Sequence, residues 1–479
     1  MSLAAAILLA ATFTRPLERV TTMDPAKSTS IYDCHAIALV YETPLAVDYK
    51  ARPYKLVPGY CELPALSTNG TVYTFKTRSG PAEDMVRSLE RLNEPGCPNG
   101  WVVKDVSCVR ALDACTVEVV LKRRVRYFPW LMAHSASSVL GPNGEGTGPY
   151  RLTSWWKNHE MVFERRGART AKGFDTVRFL VIDDLSTQWL MFLRGEIDFL
   201  GDISRDNWDA IVGPDGRIDR SLEAKGVALH SIPTLESLHL GINMRDPVLG
   251  PNRKLRQALN CAFDFPEWEK FYNGRIVIAD GPVPNGVPER IEEPFAYRYD
   301  LEKARRLLAE AGYPEGVDPK TGRRLVLRLA IGRPDQASRE SGELTAAFYA
   351  KIGIRLELDY MTWDAFLKAV NDGRVQMFRM GWVGDYPDVQ NFMQLFYSKN
   401  VSPGCNHSNY SNPDFDAAYE REDFKTCQEI VREDCPWVFT HYNRAFSLVS
   451  PRVGNYVPSD FPYGYVQFYE AVEDRTKER

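Results

Sequence analysis

Seven histidines and nine cysteines are the side chains best suited to hold a metal or attack a carbonyl carbon, and neither set is arranged to do so. His35, His134, His159, His230, His239, His407 and His441 are scattered, and each reads as a structural or surface residue. None of Cys34, Cys61, Cys97, Cys108, Cys115, Cys261, Cys405, Cys427 and Cys435 forms a C-x-x-C pair, which removes zinc-ribbon and thioredoxin chemistry. Gly144, Gly146 and Gly148 do not fit G-x-G-x-x-G, and no G-x-x-x-x-G-K-[ST] loop is present. There is no G-x-S-x-G elbow and no H-E-x-x-H. For a chain of this length, that absence weighs modestly against catalysis, and no cofactor and no metal are expected.

Cys97, Cys108 and Cys115 cluster along the chain, as do Cys405, Cys427 and Cys435. Disulfides within these clusters, with a thiol left over, and buried free thiols are both compatible with that spacing.

The elements that would position any site alternate in type. Asn69-Gly70 is a turn before a half-buried strand, Thr71 to Lys76, and Pro81 opens a helix with Met85, Val86, Leu89 and Leu92 on one face. Strands are expected at Thr116 to Leu121, Tyr150 to Leu152, Val177 to Ile182 and Glu196 to Leu200, with a helix at Ser186 to Leu193. After a shift near Leu235, Leu238 to Ile242 reads as a short strand. Leu255, Ala258, Leu259 and Ala262 then repeat at helical spacing. Asp300 caps a helix that Gly312 stops. Strands at Leu325 to Ile331, Ile354 to Leu358 and Val375 to Met380 alternate with helices at Glu343 to Lys351 and Trp363 to Val370. That alternation predicts an α/β lobe.

Length and composition agree. The 479 residues suffice for two large lobes, with 44% hydrophobic and 25% charged residues. A net charge of -4, from 59 basic and 63 acidic residues, argues against nucleic acid as a partner. No run of eighteen apolar residues suggests a membrane span. The longest apolar stretch, Leu3 to Ala11, is signal-like but lacks a basic n-region. A signal remnant, a cloning remnant and a first strand all remain open for it.

Nine segments in order, from about residue 23 to 440, resemble the family 5 extracellular solute-binding proteins of ABC transporters, the dipeptide- and oligopeptide-binding group. They are Met23-Asp24-Pro25-Ala26; Tyr41-Glu42-Thr43; Tyr73-Thr74-Phe75 with Ala82-Glu83-Asp84; Gly146-Thr147-Gly148-Pro149-Tyr150; Gly195-Glu196-Ile197-Asp198; Asn243 with Leu255-Arg256-Gln257-Ala258-Leu259 and Asp264; Asp300 to Pro314; Gly381-Trp382-Val383-Gly384-Asp385-Tyr386; and Asn412 to Asp416. The chain departs from the pattern in two places. Between Arg78 and Pro81 it lacks an aromatic-containing loop, and between Glu420 and Glu433 it is shorter than the family helix-turn-helix.

The resemblance implies an α/β, two-lobed, periplasmic-binding-protein-like (class II) fold with a hinge and an interlobe ligand cleft. Lobe I would be residues 1–238 with 445–479 returning to it, and lobe II 239–444. It implies capture of short peptides by hinge closure and delivery to ABC permease subunits, by a monomer. The location would be periplasmic or at the cell surface, with or without a lipid anchor. Oligosaccharide, nickel chelate or haem would be the alternative ligands, and an exported hydrolase the alternative of another class.

The same resemblance assigns the site. Burying a zwitterionic peptide needs a fixed anion and a fixed cation. Asp385 takes the position that pairs with the ligand ammonium, and Arg379 that of an arginine for the ligand carboxylate. Trp382 and Tyr386 would wall the pocket. Ser28, Thr29 and Ser30 would offer backbone to an extended peptide. The structural alternatives are a turn cap for Asp385, an ion pair for Arg379, core packing for Trp382 and a polar surface loop for Ser28 to Ser30.

Overall fold

The computed structural model describes residues 11–17, 19–167, 173–201, 203, 205–213, 217–459 and 465–472, so most of the Leu3 to Ala11 stretch lies outside the described residues. Two compact units form, Met1–Ile232 with Ala445–Arg479, and Pro233–Arg444. The sequence reading set the first boundary at 238; the first unit closes at Ile232, within strand Ala228–Ile242.

In the first unit, one sheet orders Thr12–Pro16, Thr176–Leu180, Glu160–Arg165 and Tyr150–Trp156. A second orders Ala65–Leu66, Val72–Lys76, Thr116–Leu121 and Val106–Asp113. Gly70 turns the chain into Val72–Lys76 at φ +72°, a left-handed conformation that glycine adopts at no steric cost. The helix after Pro81 spans Ala82–Glu90 and buries Met85, Val86 and Leu89, as its spacing predicts. The strand expected at Glu196 to Leu200 shrinks to Phe199–Leu200. Glu196 N–H instead bonds Met191 C=O in the preceding turn. The Asp198 carboxylate accepts from Thr14 N–H at 2.9 Å, so these residues serve as anchors rather than ladder members.

The second unit is built on strands β1 (Ala228–Ile242), β2 (Ile276–Ile278), β3 (Val326–Ile331), β4 (Arg355–Tyr360), β5 (Met377–Val383) and β6 (Trp437–Val449). The order is β6-β1-β5-β3-β4, with β2 antiparallel to β6. β3 runs parallel to both β4 and β5, and β1 antiparallel to β5. Helices α1 (Arg253–Ala262), α2 (Phe265–Phe271), α3 (Leu301–Glu310) and α4 (Gln336–Ala350) supply Leu255, Leu259, Trp268, Leu308 and Phe348 to the core against Leu327, Leu329 and Met377. The alternate residues Ala330 and Phe378 pack with Phe366 and Val370 of α5 (Trp363–Asn371) on the opposite face. Both faces of the sheet are therefore covered, as parallel strands require.

The α4 helix starts seven residues before the predicted Glu343 because Asp335 caps it, accepting from Ser338 N–H at 2.7 Å. Its buried positions include Ser341 and Thr345, whose hydroxyls bond the carbonyls of Ala337 and Ser341 at 2.8 Å. Satisfied hydroxyls on the core side hide the apolar period that announces a helix. α1 carries a second surprise. Arg256, 4% exposed, donates to the carbonyls of Leu249, Gly250 and Asp434 at 2.9, 2.6 and 2.9 Å. Asn260 donates to Trp437 C=O at 3.0 Å, and so fastens α1 to β6.

The two short connections are continuous and tied down. Arg78 N–H bonds Tyr60 C=O and Ala82 N–H bonds Ala114 C=O, at 2.8 and 2.9 Å. Helix Pro413–Glu420 turns directly into Phe424–Asp434, which Asp423 caps. All nine cysteines are free, which sets aside the disulfide alternative; Cys34, Cys61, Cys261, Cys427 and Cys435 are buried. No helix among the described residues is long and apolar enough to cross a membrane.

Four histidines are held neutral, chiefly by burial: His35, His239 and His441 are pushed down to about 3, and His134 to about 4. The unfolded chain protonates histidine near 6.5, so stability is complete above that pH and drains away as the pH falls towards 3. The urea midpoint, followed by tryptophan fluorescence, is expected to fall steadily from pH 7 to about pH 4.5. A flat profile over that window contradicts neutral burial.

Candidate functional site

The register of β1 on β5 determines which side chains meet. Leu240 lies opposite Arg379, Leu238 opposite Gly381 and Glu236 opposite Val383. Because side chains alternate, Glu236, Leu238 and Leu240 share one face with Arg379 and Gly381. That face, with Trp268 and Tyr272, the segment Ile331-Gly332-Arg333 after β3, the start of α4, and His441 and Asn443 of β6, lines a cavity of about 520 Å³ within the second unit. Gly381 is needed there. A Cβ would come within 3.1 Å of Leu238 Cδ1 and 3.2 Å of Glu236 Oε1, tighter than ordinary packing.

The lining is charged and rich in donors. Arg379 donates from Nη1 to Ser341 Oγ at 2.5 Å. Burial works against its charge, and Tyr272 and Asp335 partly offset that. Arg333 stands exposed at the rim with no hydrogen bond or ion pair among the described residues. Glu236 accepts from Asn443 Nδ2; burial raises its pKa while Asn443 and Arg333 lower it. His441 is neutral, and its Nδ1 accepts from Trp268 Nε1 at 3.2 Å. The ring proton is therefore assigned to Nε2, which is buried with no partner among the described residues. Two guanidiniums and an imidazole N–H thus supply donors to one cavity. Such a set suits a carboxylate. The Thr440 hydroxyl, 3.2 Å from His441 Nδ1, donates to Leu238 C=O at 2.8 Å.

Arg379 is the one predicted site residue that lines this cavity. Asp385, Trp382 and Tyr386 lie just beyond β5 or at its end, organised by Asn391, which is fully buried. Asn391 Oδ1 accepts from Trp382 Nε1 at 2.8 Å and from Asp385 N–H at 3.2 Å, and its Nδ2 donates to Asp385 Oδ2 at 3.1 Å. Asp385 is half-buried; burial raises its pKa and the Asn391 amide lowers it. The helix that follows, α6 (Val389–Met393), is capped by Asp388, which accepts from Gln390 N–H at 2.9 Å. Asp385 is thus not the helix cap. Tyr386 does not line this cavity; it is 3% exposed and donates its hydroxyl to Gln390 Oε1 at 2.6 Å.

Ser28, Thr29 and Ser30 belong to the first unit, and two of them carry structural tasks. Ser28 is buried, and its carbonyl accepts from Asn99 Nδ2 at 2.7 Å. Ser30 caps helix Ile31–Val40, its hydroxyl accepting from Asp33 N–H at 3.1 Å. Of the three, Thr29 alone is exposed. Sequence reasoning missed Arg333, Ser341, Asn391 and His441. His239, by contrast, is buried with its ring stacked on Trp437 at 3.4 Å. No group of three or more metal-ligating side chains occurs among the described residues.

The model of bacterial extracellular solute-binding proteins, family 5, matches residues 55–404. Heme-binding protein A of Haemophilus influenzae is 25% identical over 488 residues, covering 88% of this chain and 85% of that protein. The dipeptide-binding protein of Escherichia coli K12 is 24% identical over 496 residues, covering 90% and 88%. The solved structure of HbpA2 from Haemophilus parasuis superposes with a TM-score of 0.81 at 21% identity, over 96% of this chain and all of that one. That likeness identifies the fold as the periplasmic-binding-protein type.

Replacing Asn391 with alanine leaves the Trp382 indole N–H and the Asp385 carboxylate without their shared partner. The expected cost is about 1–3 kcal/mol of stability. Asn391→Asp is expected to lose stability most at neutral pH, where its charge repels Asp385. Urea denaturation of the two variants at pH 5 and pH 7 checks both; equal losses at the two pH values would remove the charge argument.

Proposed function

The chain belongs to the bacterial extracellular solute-binding proteins of family 5, and we propose that it captures short peptides outside the cytoplasmic membrane for an ABC importer. The observation that carries this reading is Arg379. Its guanidinium has five N–H donors, one of them given to Ser341, and it lines a cavity that also holds Arg333 and His441 Nε2, which has no partner among the described residues. A planar fork with donors to spare suits a terminal carboxylate. Arg333 gives the same end of the ligand a second cation, which favours peptides carrying a further acidic group there. Asp385 is assigned the ligand ammonium. Arg379 and Val383 are separated by four strand steps of about 3.3 Å, and an extended peptide of about four residues covers a similar span. Ligand contacts that exist in one conformation of the receptor and not in another shift the population towards it, and a permease reads that shift. No bond in the ligand need change.

The test is native mass spectrometry of the purified protein, followed by release and sequencing of its cargo. Short peptides are the expected cargo. A single porphyrin, sugar or metal-chelate mass would move the assignment to another ligand. Arg379→Ala and Asp385→Ala should each weaken peptide binding by about 2–5 kcal/mol, the cost of leaving a buried charge without its partner. Calorimetry reads that loss, and unchanged affinity in both variants would sink the proposal.

A further inference from the structure

The first unit contains a separate cavity of about 400 Å³, lined among others by Tyr41, Glu42, Arg78, Ser79, Tyr465 and Phe468. Glu42 is its one carboxylate. Glu42 Oε2 is buried with no hydrogen-bond partner among the described residues. The backbone of Glu42 is pinned on both sides. Its N–H donates to Thr147 Oγ1 at 2.9 Å, and its carbonyl accepts from Val139 N–H at 2.8 Å. The guanidinium of Arg78, also in the lining, is turned to Glu62 at 3.1 Å. The hydroxyls of Thr43 and Ser138 are spent on the carbonyls of Leu45 and Ser135, both at 2.6 Å.

The cavity lies where the chain departs from its family pattern. The short Arg78-Ser79-Gly80 connection stands in place of an aromatic-containing loop and forms part of the wall. It is fixed in that shape. Tyr60 donates its hydroxyl to Pro81 C=O at 3.0 Å, and a Cβ on Gly80 would come within 2.4 Å of the same hydroxyl oxygen.

A buried carboxylate oxygen without a donor is rare and costly. A single carboxylate does not make a metal site, since a hard divalent cation takes six or more oxygens. It does suit a group that brings its own N–H donors and positive charge. Tyr41, Tyr465 and Phe468 supply aromatic surface for an apolar body and for the cation itself. The volume falls in the range of small-molecule pockets. We propose that this cavity is a second ligand site, in which Glu42 anchors a small primary ammonium carrying an aromatic or apolar body. It is independent of the peptide reading, since none of its residues lines the cavity of the second unit.

The test uses 2-phenylethylamine, with 2-phenylethanol as its uncharged counterpart, titrated calorimetrically into the full chain. The amine is expected to bind once per chain, and the alcohol far more weakly. Glu42→Gln should weaken the amine roughly 10- to 100-fold, the loss of a charge-assisted hydrogen bond. Ser79 is exposed and outside the peptide site, so Ser79→Phe should block the amine while peptide affinity is retained. That second variant carries the test where Glu42→Gln does not fold. Arg379→Ala should leave amine binding unchanged. Equal binding of amine and alcohol, full amine affinity in Glu42→Gln or in Ser79→Phe, or loss of the amine in Arg379→Ala each overturns the proposal. So does the absence of saturable binding below about 10 mM.

Discussion

The candidate site depends on one constraint, the register of β1 against β5. Leu240 opposite Arg379 and Leu238 opposite Gly381 put a cation and a gap side by side on the face that α2 and α4 leave partly open. A slip of one residue would send Arg379 to the opposite face, where Phe378 packs against Phe366 and Val370. It would also bury a guanidinium in an apolar core without a partner, at a cost no domain of ordinary stability tolerates. Register and charge placement are therefore the same fact. The buried Asn260 supports it at a distance by fixing α1 to β6, the strand that borders β1, and Arg256 ties the same helix to Asp434, at the end of the helix before β6.

Electrostatics then shape what the cavity accepts. Its acids are already committed: Glu236 to Asn443, and Asp335 to the first turn of α4. Its bases are less so: among the described residues Arg333 makes no hydrogen bond or ion pair, and Arg379 bonds one hydroxyl. In a partly desolvated site that imbalance favours an anion, and hydrogen bonds to ionised groups are the stronger kind. Burial keeps His441 neutral, so it offers a directed N–H and adds no further positive charge beside Arg379. The family assignment supplies a solute-binding role; the donor set argues for the chemistry of one end of the solute.

Much of the fold was legible because the second unit keeps to rules that sequence displays. Leu255, Ala258, Leu259 and Ala262 recur at helical spacing and are all buried, and Asp300 and Gly312 bracket α3 as a cap and a stop. Legibility failed where polar residues do structural work. α4 hides behind the back-bonded Ser341 and Thr345, and Glu196 to Leu200 yields its ladder to the Asp198 anchor. The site followed the same division. Arg379, which lines the cavity, was singled out because a resemblance covered its position. Asn391 and His441 were not, because their roles arise from contacts across 6 residues of turn and 173 residues of chain, respectively. The burial of Tyr386 was not legible either, because an aromatic beside an acid reads alike on a pocket wall and in a core.

The most direct measurement compares a short peptide with its C-terminal amide, in the native protein and in Arg379→Ala. If Arg379 reads the terminal carboxylate, amidation weakens binding to the native protein at least tenfold and costs almost nothing in the variant. That is the non-additivity expected of two groups in contact. If amidation costs the same in both proteins, the carboxylate lies elsewhere and the assignment of this cavity is wrong.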